Sequence, residues 1–116
     1  MHNFRKLLVW QFSRELGTEI YKLCAGRPRD EAIVTRQLRR AALSISATIA
    51  EGCGKSTRPE TLRYLDMAAG SAAETEHHLE VWRDLGGIDP RACDELLERV
   101  GSIRRMLWSL SANLPE

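Results

Sequence analysis

Long apolar stretches are missing from this sequence. No run approaches the roughly 20 residues that a membrane-crossing helix needs. The N-terminus also lacks a charged region followed by an apolar stretch and a cleavage site, which excludes a secretory signal. Cysteine is scarce: Cys24, Cys53 and Cys93 are odd in number and widely spaced. That spacing argues against a disulfide framework and for reduced thiols in a cytoplasmic protein. Net charge is nearly absent, at +1, too little to announce a nucleic-acid binder by itself. Strand-like alternation, internal repeats and low-complexity tracts are also missing. What is present is ordinary for a globular chain, with 43% apolar and 28% charged residues over 116 positions. One domain, 1–116, fits that length.

The near-zero net charge conceals a division. Residues 1–59 carry 11 Lys and Arg against 5 Asp and Glu, whereas residues 60–116 carry 6 against 11. Two readings follow. The halves attract each other, within one subunit or across a subunit interface, or the basic half forms a surface for a polyanion.

Apolar residues recur at three- and four-residue steps in four segments. The first runs from about Asn3, its cap, to Cys24, with Val9, Phe12, Leu16, Ile20 and Leu23 on one stripe; Gly26 and Pro28 end it. Asp30 then caps a second helix, whose stripe is Val34, Leu38, Ala41, Ile45 and Ile49 and which stops in the stretch 52–57. Ser56 or Thr57 caps the third, from about Pro59 to Leu85, with Leu65, Ala68, Ala72, Thr75, Leu79 and Trp82 facing inward. Small residues crowd its middle, from Ala68 to Ala73, and permit close helix approach. Asp89 caps the fourth, with Pro90 first and a heptad seam of Cys93, Leu96, Val100, Ile103, Leu107, Leu110 and Leu114. Short connections between such helices predict an all-α, antiparallel up-down-up-down four-helix bundle.

Two strings exceed what periodicity requires: 37–52, QLRRAALSISATIAEG, and 64–74, YLDMAAGSAAE. With Leu8-Val9-Trp10-Gln11 and Tyr21 they resemble the four-helix bundle proteins encoded in intervening sequences of bacterial 23S ribosomal RNA genes. Thr48 stands where that family usually has Asn, and Thr75 where it usually has Leu. The resemblance implies a homopentamer without an established molecular role. It also implies kinship with the accessory proteins of diversity-generating retroelements, strongly basic pentamers that bind nucleic acid and a reverse transcriptase.

Each chemistry-bearing residue has a plain structural reading beside the functional one. Gln37, Arg40, Ser44 and Glu51 flank the second helix's seam, and Ser71, Glu74 and His78 flank the third's. In a hairpin turning near residue 57 this places Arg40 opposite Glu74 and Glu51 opposite Arg63. The expectation is a partly buried Arg40–Glu74 ion pair that fixes register, with Arg40 reading a phosphate as the functional alternative. Glu74-x-x-His77 resembles half of a di-iron motif, but His2 and His78 cannot complete it from another helix, so no metal or other cofactor is expected within one subunit. A metal shared across a symmetry axis is the alternative. Cys53, between two glycines, reads as an incidental thiol that could be exposed. Residues 52–56, GCGKS, lack the upstream glycine and strand of a phosphate loop. Trp10 and Trp108 lie beside the terminal seams and either widen the core or anchor a subunit contact. No catalytic set emerges and no small-molecule substrate is implied. The sequence therefore predicts a non-enzymatic homo-oligomer. The alternative is a nucleic-acid accessory protein using Arg5, Lys6, Arg14, Arg36, Arg39, Lys55 and Arg58 on RNA or DNA phosphates.

Overall fold

The computed structural model describes residues 3–115, and His2 lies outside them. The fold is all-α: α1 spans Leu8–Cys24, α2 Ala32–Cys53, α3 Arg58–Asp84 and α4 Pro90–Ala112, and no strand occurs among the described residues. They form a bundle 47 Å long and about 20 Å across. No helix among the described residues is long and apolar enough to cross a membrane.

Each boundary has a local cause. Thr57 Oγ1 accepts from the Glu60 amide and caps α3, with Pro59 in the first turn where its missing N–H costs nothing. Asp89 Oδ2 caps α4 in the same way, accepting from Ala92, with Pro90 first. The chain leaves α1 and α3 through Gly26 and Gly86, both at positive φ, which a side chain would resist. Two expected starts are corrected. Asn3 caps only a 3-10 turn, Phe4–Lys6, because Leu7 is extended and restarts the helix at Leu8. Asp30 caps nothing; it lies within a second 3-10 turn, Arg29–Glu31, that leads directly into α2.

Helix contacts run in opposite numerical order along each pair. Thr61 of α3 donates to the carbonyl of Gly52 at one end of α2, and Trp82 donates to Glu31 at the other. Tyr21 meets Arg39 while Gly17 meets Ala42, and Cys93 donates to the Leu79 carbonyl while Arg58 reaches Leu114. Consecutive helices therefore point in opposite directions. The core is a single cluster in which the inward stripes of α3 and α4 are buried much as their spacing predicts. On α1 the stripe is shifted: Phe12 is exposed, and Ser13 and Gly17 take inward positions beside Leu16 and Ile20.

Close approach comes from Gly17 of α1 and Gly52 of α2 as well as from the fully buried Ala68 and Ala72 of the small run of α3. A Cβ on Gly17 would lie 3.1 Å from the Ala42 carbonyl oxygen, and one on Gly52 would lie 2.8 Å from Tyr64 Cβ. Gly70, by contrast, has no neighbour within 4 Å. Buried hydroxyls all find carbonyls: Ser13 donates to Val9, Thr35 to Glu31, Thr61 to Gly52 and Thr75 to Ser71. Thr75 thus occupies a core position without an orphaned polar atom.

Gly70 and Gly87 give a matched test of this packing. A methyl group on Gly87 would strike the Trp82 indole nitrogen and the Glu31 carboxylate. Gly87→Ala is expected to destabilise the fold by about 1–3 kcal/mol in chemical denaturation. Gly70→Ala, placed in open space within a helix, is expected to stabilise it by about 0.5–1 kcal/mol.

Candidate functional site

The division of charge persists in three dimensions, but the two halves do not neutralise each other by contact. Ion pairs among the described residues are His78–Glu74, Arg83 with Glu80 and Asp84, Arg99–Glu19, and Arg104–Glu76. None uses any of the eleven Lys and Arg of residues 1–59. The single pair joining the halves, Arg99–Glu19 at 2.6 Å, takes its cation from the acidic half. Among the described residues, any attraction between the halves within one subunit thus rests on Arg99–Glu19 and on longer-range fields rather than on contact pairs from the basic half's cations.

Five of those eleven cations instead lie over aromatic rings. Arg5 covers Phe4 at 4.5 Å, Arg14 covers Trp10 at 5.3 Å, and Arg39 reaches from α2 to cover Tyr21 of α1 at 5.2 Å. Lys55 covers Tyr64 at 4.8 Å, and Arg27 covers the buried Trp82 at 5.2 Å. Phe4 also packs edge-on against Trp10, their centroids 5.0 Å apart. Such contacts hold a cation in place without consuming its N–H donors.

Of the sequence-predicted basic set, the structure thus gathers Arg5, Arg14 and Arg39 along the seam between α1 and α2. Arg36 follows on α2, almost a turn before Arg39, and is exposed, as is Lys6. Lys55 and Arg58 lie elsewhere, at the α2–α3 turn, where Arg58 Nε donates to the Leu114 carbonyl. Sequence reasoning missed the rings themselves. Phe4 beside Arg5, and Trp10 four residues before Arg14, were local signals; Tyr21 under Arg39 needed the register of two helices.

The polar row flanking α2 and α3 behaves differently from expectation. Arg40 and Glu74 are both exposed and form no pair; Glu74 meets His78 one turn along, at 3.5 Å. Ala41, Ala42, Ala68 and Ala72 fill the space between the helices, so these flanking side chains point outward rather than at each other. Ser44 donates to the Ala41 carbonyl, Ser71 offers its carbonyl to Thr75, and Glu51 is exposed while Arg63 stacks on Tyr64. Among the described residues no group of three or more His, Cys, Asp or Glu converges.

The tryptophans part company. Trp10 is half-buried at the edge of the core, whereas Trp108 is 76% exposed. Trp108 stands at the rim of a groove of about 690 Å³ between α3 and α4, floored by Leu62, Leu65, Ala69 and Leu107 and edged by Asp66 and Arg105. Gly101 and Ala69 also line that groove. Cys53 is buried rather than exposed, because α2 continues through it to close under α3. Burial raises all three thiols, and Cys24 is pushed up to about 11 despite the nearby Arg39 and Arg27.

A family model described as 23S rRNA-intervening sequence protein matches residues 5–109. Among solved structures, a protein of unknown function from the S23 ribosomal protein family of Bacteroides thetaiotaomicron VPI-5482 is similar, with a TM-score of 0.83 and 25% identity. The likeness covers 90% of this chain and 98% of that one. No curated protein sequence matches.

The thiols give a simple check on this surface. A thiol with its pKa near 11 is ionised to about one part in a thousand at pH 8. Native protein is therefore expected to resist iodoacetamide at Cys24, and burial is expected to shield Cys53 and Cys93 as well, with all three labelled after unfolding. Fast native labelling of Cys24 would contradict the packing described.

Proposed function

From the premise that this chain belongs to the 23S rRNA-intervening sequence protein family, we propose that it acts as a non-enzymatic homo-oligomer, five copies closing into a ring. The observation that carries this reading is Trp108, 76% exposed above an open apolar groove. Exposed tryptophan over such a floor is costly in water and is the side chain most often found anchoring a protein interface.

The charge pattern favours a head-to-tail contact. An isologous two-fold contact centred on Arg36 and Arg40 of the outer face of α2 would bring those cations against their own copies. A heterologous contact sets unlike surfaces together and closes into a ring when its rotation allows. The outward stripe of α2 offers an apolar complement to the α3–α4 groove in Ile33, 73% exposed, beside Arg36 and Arg40, which form no ion pair among the described residues. Ile33 of one copy would then seat beside Trp108 of the next, its arginines near Asp66. The number five follows the family resemblance. Thiols pushed upward by burial are poor nucleophiles, which fits a role in assembly rather than catalysis.

Light scattering after size exclusion tests this directly. Wild-type protein is expected near five times the 13.1 kDa chain mass. Trp108→Glu is expected to fall to the mass of one chain with its helical circular dichroism intact, since Trp108 contributes little to the monomer core. A wild-type monomer, or an assembled Trp108→Glu variant, would overturn the reading.

A further inference from the structure

We propose that the seam between α1 and α2 is a binding track for single-stranded nucleic acid, with phosphates on its arginines and bases on its rings. Trp10, Arg14 and Tyr21 lie within about 40° of one another around α1, so they form one stripe spanning about 16 Å of helix. Arg39, Leu43, Ser46 and Ala50 make the facing stripe of α2, brought close because Gly17 presents no side chain to Ala42. Phe4 and Arg5 extend the track beyond the start of α1, with Phe4 packed on Trp10.

Three properties of this seam point to that ligand. First, its two stripes contain no carboxylate. The acids of this region turn elsewhere. On α1, Glu19 pairs with Arg99 and Glu15 lies in the cleft toward α4. Glu51 is exposed near the far end of α2, outside the facing stripe, and Glu31, just before α2, accepts from Trp82. Second, the side chains of Arg5, Arg14 and Arg39 form no hydrogen bond or ion pair among the described residues, although each is held against a ring. A guanidinium immobilised by stacking keeps its fork of donors and loses less side-chain entropy when an anion arrives. Third, aromatic surface is interleaved with the cations, and Tyr21 is 47% exposed. A polyanion without bases would have no use for that surface. A duplex would hide its base faces in its own stack, whereas an unpaired strand can lay them on the rings. The seam lies away from the Trp108 groove and beside the α2 stripe of Ile33, Arg36 and Arg40 used in the ring reading; none of its own residues belongs to that stripe.

The test is fluorescence anisotropy of a labelled oligouridylate of ~12 nucleotides, against a duplex of equal length and against inorganic polyphosphate. The single strand is expected to bind most tightly, with a log–log salt slope of about −2 for three neutralised phosphates. Tyr21→Ala is expected to weaken binding about tenfold or more, as loss of one stacking platform does. Arg14→Gln with Arg39→Gln is expected to flatten the salt slope, while Arg91→Gln, on exposed α4 surface, leaves both unchanged. Thermal melts of each variant separate lost binding from lost folding. A flat wild-type salt response, equal affinity for duplex or polyphosphate, or unaltered binding by folded Tyr21→Ala would each overturn the proposal.

Discussion

Trp82 is completely buried near the end of α3, its indole N–H donating to Glu31 at 2.9 Å and its ring covered by Arg27. One side chain thereby ties three segments: the end of α3, the turn before α2, and the segment that leaves α1. Gly87 lies against the same indole with no side chain to displace it, so the path into α4 is constrained as well. At the far end Thr61 holds Gly52 in the same antiparallel sense. With both ends pinned, the register of the α2–α3 hairpin has little freedom, and every flanking residue inherits its direction from it.

The distribution of charge follows from that register. Alanines pack between α2 and α3, which turns Arg40 and Glu74 to solvent and leaves no partly buried site where they could meet. Gly17 lets α1 and α2 close up, which brings Arg39 over Tyr21 and concentrates cations on one seam. The acidic half places Glu76 and Glu80 beside its own Arg104 and Arg83. A chain of net charge +1 is thus polarised, and among the described residues no cation of its basic half enters a contact ion pair. Exposed ion pairs add little stability in any case, so their absence costs the monomer little and leaves the cations available to other molecules.

Most of the architecture is legible in the sequence because helical period, caps and core position are local properties. The stripes of α3 and α4, the Thr57 and Asp89 caps, and Gly26 as a stop all read directly from spacing and side-chain chemistry. The starts at Leu8 and Ala32 are hidden because 3-10 turns leave no periodic signature of their own. Phe12 fits the inward stripe by spacing, yet the close approach at Gly17 rotates α1 enough to expose it. The Arg40–Glu74 expectation fails for a different reason. Counting back from a turn shows which residues lie at one height, but not whether both side chains point into the gap. The arginine–aromatic stacks are the least legible part, since Tyr21 and Arg39 are 18 positions apart and belong to different helices. Family membership supplies the fold and leaves those surface details to this chain's own residues.

The claim beneath both functional readings is that the cations of α1 and α2 are not satisfied within their own subunit. Thermal unfolding against salt addresses it most directly, at protein concentrations low enough that the melting temperature no longer depends on concentration. Between about 20 and 500 mM salt, screening removes most long-range interaction between exposed charges. Uncompensated cations repel one another in the monomer, so the melting temperature should hold steady or rise as salt increases. A fall in melting temperature with salt would contradict the claim, because it would mean that the basic and acidic halves already stabilise each other inside one chain.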